Sequence, residues 1–212
     1  MKGALQARCL PVPHGFGRRG ASAPEGLRRP RQVHGMGVVV VHEPGPSELA
    51  EADAVVCDHS GVPVGIVTAD CVPILVASRD GRVVAAIHGG WRGLAAGIVG
   101  AGIAALREFT GEELLAAIGP HVGPCCYEVD EPVLRELGER FGAVLEEATQ
   151  PSRSGHVWLD LGAIAEAALQ RAQVSAIERL PESCTACPGA PFFSVRRDGA
   201  DTGRMLHWIQ SA

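Results

Sequence analysis

The chain has 212 residues, 46% of them hydrophobic and 20% charged, a composition that supports an ordinary globular core and excludes wholesale disorder. Glycine and proline number 27 and 15, too dense in turn formers for a coiled coil or a helical repeat array. The net charge of −5, from 19 basic and 24 acidic residues, lacks the positive excess that displaces counterions from nucleic acid, so no nucleic-acid partner is expected.

All basic residues except Lys2 are arginine, a skew we read chiefly as genome composition, although arginine also suits anion recognition. The first residues break into proline and glycine before any apolar run forms, so no secretory signal is expected. The longest uncharged apolar stretch, Leu94 to Leu106, falls short of the ~20 residues that span a bilayer. A cytoplasmic chain with no membrane partner is the expectation. Its seven cysteines, an odd number, are then expected to be free thiols, some serving catalysis or a metal. Cys125 and Cys126 are adjacent and are not expected to bridge each other. Cys184 and Cys187 form one Cys-x-x-Cys, where a zinc ribbon needs two.

In chain order, residues 1–32 read as an extended segment and turns, with five arginines between Arg18 and Arg31. Strands are predicted at Val38–Val41, Asp53–Cys57 and Val64–Thr68, from short β-branched runs bounded by turn residues. Two further runs, Val72–Ala77 and Arg82–Ile87, flank Asp80-Gly81 and predict a hairpin. Leu94–Phe109 predicts one helix with Leu94, Ile98, Ala101 and Ala105 on its apolar stripe. A buried strand at Leu114–Ile118 stops at Gly119-Pro120. Helices follow at Pro132–Phe141 and at Asp160–Gln173, with Asp160 as N-cap. Phe192–Val195 reads as a late strand, and Gly203–Ile209 as a terminal strand or helix. No repeat or long linker divides the chain, so residues 1–212 are expected to form one α+β domain. Nothing in the pattern sets an oligomeric state.

Three residues stand at strand ends, where a rigid scaffold leaves one side open to a ligand. His34 precedes the Val38 strand, Cys71 starts one arm of the hairpin and His88 ends the other. Antiparallel pairing would bring Cys71 opposite His88, and His34 would complete a set of two imidazoles and one thiolate. Three such ligands suit catalytic Zn²⁺, which keeps a fourth position open. The glycines and proline around them, Gly35, Pro73, Gly89, Gly90 and Gly93, would permit close approach. Other uses of the same residues stand beside this one. A strand-end histidine commonly just makes hydrogen bonds, and a lone cysteine packs as a small hydrophobe. Cys71 and His88 could be the nucleophile and base of a cysteine hydrolase. Two histidines and a cysteine also make the equatorial set of a copper site, with Met36 or Met205 as axial ligand. The absence of any His-x-His pair makes copper the weaker choice.

A second cluster, His121, Cys125, Cys126, Tyr127 and Glu128 in G-P-H-V-G-P-C-C-Y-E-V, could wall a pocket or simply pack inward. A third, Arg196, Arg197 and Arg204 among glycines, could take an anion or lie in solvent.

The strings Q-V-H-G, T-A-D-C-V-P-I-L, I-H-G-G-W-R-G, I-G-P-H-V-G-P-C-C-Y-E-V and F-F-S-V-R-R-D-G-A-D-T-G-R together resemble the YfiH/YlmD-like family. That family was long labelled polyphenol oxidase or laccase domain and is now described as purine nucleoside phosphorylases. The resemblance runs from about residue 32 to residue 209. It implies a layered α/β/β/α domain with mixed sheets, similar to the toxin-like cysteine hydrolase fold. It also implies Zn²⁺ on His34, Cys71 and His88, with copper the lesser alternative. The implied activities are phosphorolysis of adenosine, inosine, guanosine and methylthioadenosine, plus adenosine deamination; peptidoglycan-precursor editing is attributed to some members. The partners would be purine nucleosides and phosphate.

The chain departs from the family pattern before residue 32, where its N-terminal segment is shortened. It has H-G-G-W for H-A-G-W, and Val195 where the family has a tyrosine. Within this reading Cys71, His88 and Asp70 are the catalytic candidates. Asp70 would partner a ligating imidazole or accept a proton. Arg19, Arg92, Cys125 and Arg197 are the substrate-binding candidates.

Overall fold

The structure, a computed structural model, describes residues 3–181 and 184–212. Its early strands are β1 (Ala4–Leu5), β2 (His14–Gly17), β3 (Arg29–Arg31), β4 (Val38–Val41), β5 (Glu48–Glu51) and β6 (Ala54–Cys57). Next come β7 (Pro63–Thr68), β8 (Val72–Ser78), β9 (Val84–Gly89), helices α1 (Trp91–Ala96) and α2 (Ile98–Arg107), and β10 (Leu114–Ile118). The later elements are β11 (Glu128–Asp130), α3 (Glu131–Phe141), α4 (Ala143–Glu147), β12 (Thr149–Pro151), β13 (His156–Leu159), α5 (Leu161–Arg171), β14 (Ala176–Arg179), α6 (Val195–Asp198) and β15 (Met205–Gln210).

The fold is mixed α+β. A six-stranded sheet runs β14-β10-β8-β9-β6-β4, antiparallel at its centre and parallel at both outer pairs. Against it lies an antiparallel sheet ordered β1-β2-β15-β7. The central strands are apolar at nearly every position because both faces are covered. Ala54, Val56, Ile74, Ile87, Ala116 and Ile118 point to one side, where Ile98, Ile103, Leu106 and Ile164 of α2 and α5 meet them. Their neighbours Val55, Leu75, Ala86 and Ala117 point the other way, onto Phe16, Val64, Ile66 and Ile209 of the second sheet. The period-two alternation therefore divides one run of aliphatics between two cores.

The predicted hairpin forms in register, with Pro73 opposite His88 and Val72 opposite Gly89. Asp160 caps α5 by accepting from the Ala163 N–H at 2.9 Å. Four expectations change. Residues 1–32 are not merely extended, because His14–Gly17 becomes a fully buried strand paired with β15. The helix over 94–109 begins at Trp91 and is cut in two at Gly97, which sits at φ 106°, in the left-handed region. There the Arg140 guanidinium caps the end of α1, donating to the Ala95 and Ala96 carbonyls at 2.6 and 2.8 Å; a side chain at 97 would collide with it. The stripe of α2 is correspondingly carried by Val99, Ile103 and Leu106 rather than by Ala101 and Ala105. Phe192–Val195 forms no strand. The Ser194 hydroxyl accepts from the Arg197 N–H at 3.1 Å and starts the short helix α6 instead. Among the described residues no helix is long and apolar enough to cross a membrane.

Candidate active site

The β8–β9 register carries Cys71 and His88 to the same end of the central sheet. His34 arrives from the loop between β3 and β4, its backbone at φ 59°. The Cys71 Sγ lies 3.8 Å from His34 Nε2, and one ligand atom from each of the three residues lies within 4.8 Å of the others. The two imidazoles meet edge-on, 4.7 Å between centroids. Bond lengths of about 2.3 Å to sulfur and 2.0 Å to nitrogen place S and N of a tetrahedral zinc site roughly 3.5 Å apart, so this donor set fits the ion with little movement. His88 is buried, Cys71 half-buried and His34 exposed. The set therefore opens to solvent on one side, as a site with a vacant position must.

Asp53, at the head of β6, organises the group and was not singled out in the sequence. It is fully buried. Its Oδ1 accepts from His88 Nδ1 at 2.8 Å and from the His34 backbone N–H at 2.9 Å. Its Oδ2 accepts from the N–H groups of Val33 and Gly35 at 3.2 and 2.7 Å. One carboxylate thus holds the His88 ring by its far nitrogen and fixes the loop that carries His34. The signal was present, a carboxylate heading an apolar strand, but only the fold reveals its partners.

Electrostatics follow from this packing. Burial works to raise the Cys71 thiol, but hydrogen bonds and positive charge from His34 and His88 outweigh it and bring it down to about 6. At neutral pH the sulfur is a thiolate, the form that binds metals and attacks electrophiles. Burial works against a charged His88, yet Asp53 and Cys71 lift it to about 9. The Asp53 carboxyl is held below its usual range, the His88 and backbone hydrogen bonds overcoming its burial.

A cavity of about 770 Å³ opens over the three residues, a volume suited to a small-molecule ligand. Trp91, Val122 and Tyr127 give it apolar faces, and Arg29, Arg31, Arg196 and Arg204 bring positive charge. Burial, followed by the negative charges of Cys71 and Asp70, raises the Tyr127 phenol to about 12.

The remaining sequence candidates divide. Asp70 lines the cavity at φ 94°. Its carboxylate accepts from the Thr185 hydroxyl at 2.5 Å and the Arg196 N–H at 2.7 Å, so the expected imidazole partner is Asp53 instead. Arg19, Arg92, Arg197 and Cys125 do not line the cavity. Arg19 is spent on Asp198, the Phe192 carbonyl and the Phe193 ring. Arg92 stacks over Trp91, 4.3 Å from its ring centre. Arg197 donates to the carbonyls of Thr185, Cys187 and Phe192 and pairs with Asp198. Cys125 joins Cys126, Cys184 and Cys187 in a separate thiol cluster. Neither methionine proposed as an axial copper ligand lines the cavity; Met36 is exposed, and the Met205 sulfur accepts from the Phe193 N–H.

Residues 18–212 match the family model described as multi-copper polyphenol oxidoreductase laccase. Over 187 residues the chain is 40% identical to a protein of Xylella fastidiosa named purine nucleoside phosphorylase, spanning 84% of this chain and 70% of the relative. It is 30% identical over 194 residues to adenosine deaminase RL5 of an unknown prokaryotic organism, covering 86% and 74% of the two chains. The crystal structure of YlmD from Geobacillus stearothermophilus superposes with a TM-score of 0.80 at 34% identity, covering 88% of this chain and 74% of that one.

Proposed function

This chain belongs to the multi-copper polyphenol oxidoreductase laccase family, and on that premise we propose that it is a zinc-dependent purine nucleoside phosphorylase. Its substrates would be adenosine, inosine, guanosine and methylthioadenosine, with adenosine deamination as a second activity. The observation that carries this reading is the convergence of His34, Cys71 and His88 at a cationic, aromatic-walled cavity. The relatives named for both reactions support it.

His34, Cys71 and His88 would hold Zn²⁺, and the ion would supply Lewis-acid polarisation to the reacting oxygen. Asp53 acts as a positioning residue. By accepting from His88 Nδ1 it directs Nε2 toward Cys71 and His34, the nitrogen that would give up its proton to bind the ion, and by gripping the 33–35 backbone it sets where His34 stands. Trp91 and Tyr127 offer flat surfaces to a purine, with the Tyr127 hydroxyl protonated at neutral pH and able to donate to a departing base. In phosphorolysis an oxygen of phosphate bonds to C1′ as the bond from C1′ to the purine nitrogen breaks, and the purine leaves with a proton. Phosphate would meet Arg29 and Arg204, which face the cavity without a carboxylate partner among the described residues. Deamination at C6 adds water and expels ammonia in the same cavity.

Inosine incubated with the enzyme should yield hypoxanthine and ribose 1-phosphate only when phosphate is present, and Cys71→Ala should abolish both products. Absence of turnover across a nucleoside panel, with and without phosphate, sinks the reading. A second one is favoured by the Cys71–His88–Asp53 relay, in which a thiolate, an imidazolium and its orienting carboxylate stand in order. That reading, a cysteine hydrolase, predicts cleavage of amides or thioesters and no reaction with nucleosides.

A further inference from the structure

Two loops distant in sequence bring four thiols together outside the cavity. Cys125 and Cys126 come from the turn between β10 and β11, Cys184 and Cys187 from the segment between β14 and α6. All four sulfurs lie within 4.8 Å of one another. Cys187 Sγ is 3.6 Å from Cys125 Sγ and 3.9 Å from Cys126 Sγ, and none of the four is in a disulfide. A tetrahedral Zn(Cys)₄ centre with bonds of about 2.3 Å has sulfur–sulfur edges of about 3.8 Å, which those two distances bracket. The adjacent pair thus supplies the half of a four-cysteine set that one Cys-x-x-Cys lacks.

We propose that Cys125, Cys126, Cys184 and Cys187 form a closed structural Zn²⁺ site that ties the 119–127 and 184–187 loops together beside the cavity. All four positions of the ion are filled by protein, so this centre holds structure and leaves no room for substrate. Four soft thiolates in a tetrahedron select zinc over the oxygen-loving divalent cations.

The backbone is shaped for it. Cys184-Thr185-Ala186-Cys187 runs into Pro188 and Gly189, the latter at φ 77°, and the Ala190 N–H closes the turn on the Cys187 carbonyl at 3.2 Å. In the other loop the Cys126 and Tyr127 N–H groups both donate to the Gly123 carbonyl at 3.0 Å, turning the two cysteines outward together. A side chain at Gly123 would press on Cys184 and the Cys125 sulfur. The Thr185 N–H donates to the His121 carbonyl at 2.9 Å, joining the loops directly. Arg197 brings a cation to the cluster through the Thr185 and Cys187 carbonyls, offsetting the negative charge of four thiolates.

The site matters to the cavity through what its loops carry. Val122 and Tyr127 line the wall, and the Thr185 hydroxyl holds the Asp70 carboxylate at 2.5 Å. Ordering the two loops therefore sets one side of the substrate chamber, while the ion itself stays apart from the chemistry.

Metal analysis of the native full-length protein, purified without chelator, should find two zinc ions per chain. Cys71→Ala should keep one, and Cys184→Ser with Cys187→Ser should keep the other. If the double variant fails to fold, Co²⁺ loaded into the Cys71→Ala protein gives a second reading. Four thiolates produce intense sulfur-to-cobalt charge transfer and tetrahedral d–d bands, and Cys125→Ser should weaken them. Complete loss of zinc from Cys71→Ala overturns the proposal. So does a mass deficit showing disulfides among the four cysteines, or iron in place of zinc in the native protein.

Discussion

Asp53 Oδ1 accepts a hydrogen bond from His88 Nδ1 at 2.8 Å while the same oxygen accepts from the His34 backbone N–H. One buried carboxylate thereby couples the His88 ring to the backbone that carries His34, far apart along the chain, and the readiness of the site rests on it.

Replacing Asp53 by asparagine keeps its shape and removes its charge. Its amide offers one acceptor oxygen where the carboxylate offers two, so an NH₂ donor faces either the His88 ring and His34 N–H or the Val33 and Gly35 N–H groups, and the grip on His88 and the 33–35 backbone loosens. Zinc affinity at the proposed His34–Cys71–His88 site is expected to fall by about 10–100-fold, the usual cost of losing a carboxylate behind a ligating histidine. Chelator competition measures it in a protein lacking the second cysteine cluster. Unchanged affinity would remove Asp53 from the positioning role.

Gly90 sits against the same three residues. A Cβ there would stand 3.0 Å from His34 Cδ2 and 3.4 Å from Cys71 Sγ. Gly90→Ala should displace His34, the exposed member of the set, and weaken binding at the proposed metal site while leaving the melting temperature nearly unchanged. Gly162→Ala makes the contrast. Its Cβ would run into the buried His121 ring and come within 2.7 Å of Arg179 Nη2. Overpacking of that kind costs about 1–3 kcal/mol, so calorimetry should show a melting temperature lower by several degrees with metal content preserved.

These positions show which parts of the molecule the sequence discloses. Runs such as Ala54–Cys57 and Leu114–Ile118 were legible because strands covered on both faces are apolar throughout, and the Asp80-Gly81 turn fixed the hairpin register. That register is local, so the meeting of Cys71 and His88 followed from it. Asp53 was not legible, since its four hydrogen bonds come from segments ordered only by the finished sheet. The arginines misled for a related reason. Arg19 and Arg197 sit in an anion-binding context by sequence, but Asp198 and nearby carbonyls claim them in the fold. The thiol cluster joins residues 61 positions apart, Cys126 and Cys187 among them, and no periodicity encodes such a meeting.

His207 gives the molecule a dependence on acid. Its ring is fully buried between the sheets, Nε2 bonded to the Thr68 hydroxyl at 2.8 Å and Nδ1 without a partner among the described residues. Burial, with the His88 charge adding to it, lowers its pKa to about 3. The unfolded chain takes a proton near pH 6.5, a usual histidine value, whereas the folded chain resists until about pH 3. The unfolded state binds more protons across that window, so stability is complete above it and falls as the pH drops. The loss attributable to His207 is on the order of 5 kcal/mol at its full extent. Urea unfolding at stepped pH should show a shallower acid decline in His207→Gln than in the unmodified chain, and parallel declines would assign the sensitivity to other groups.

Phosphate recognition should separate the arginines that face the cavity from those that do not. Arg29 lines it, is exposed, and carries no side-chain hydrogen bond or ion pair with another described residue. Arg204 lines it too, its guanidinium bound among the described residues to the Thr202 and Gly203 carbonyls. Arg196 is committed by its guanidinium to the Glu128 carbonyl and the Tyr127 ring. A hydrogen bond to a charged group contributes about 1.5–3 kcal/mol, or roughly tenfold or more in affinity. Arg29→Ala should therefore raise the KM for phosphate by about that factor while the KM for inosine holds. Arg92→Ala, its charge held over Trp91 outside the cavity lining, should leave both constants in place. Steady-state kinetics with phosphate and nucleoside varied in turn decides between them; equal effects on the two substrates would mean that Arg29 shapes the cavity rather than binding the anion.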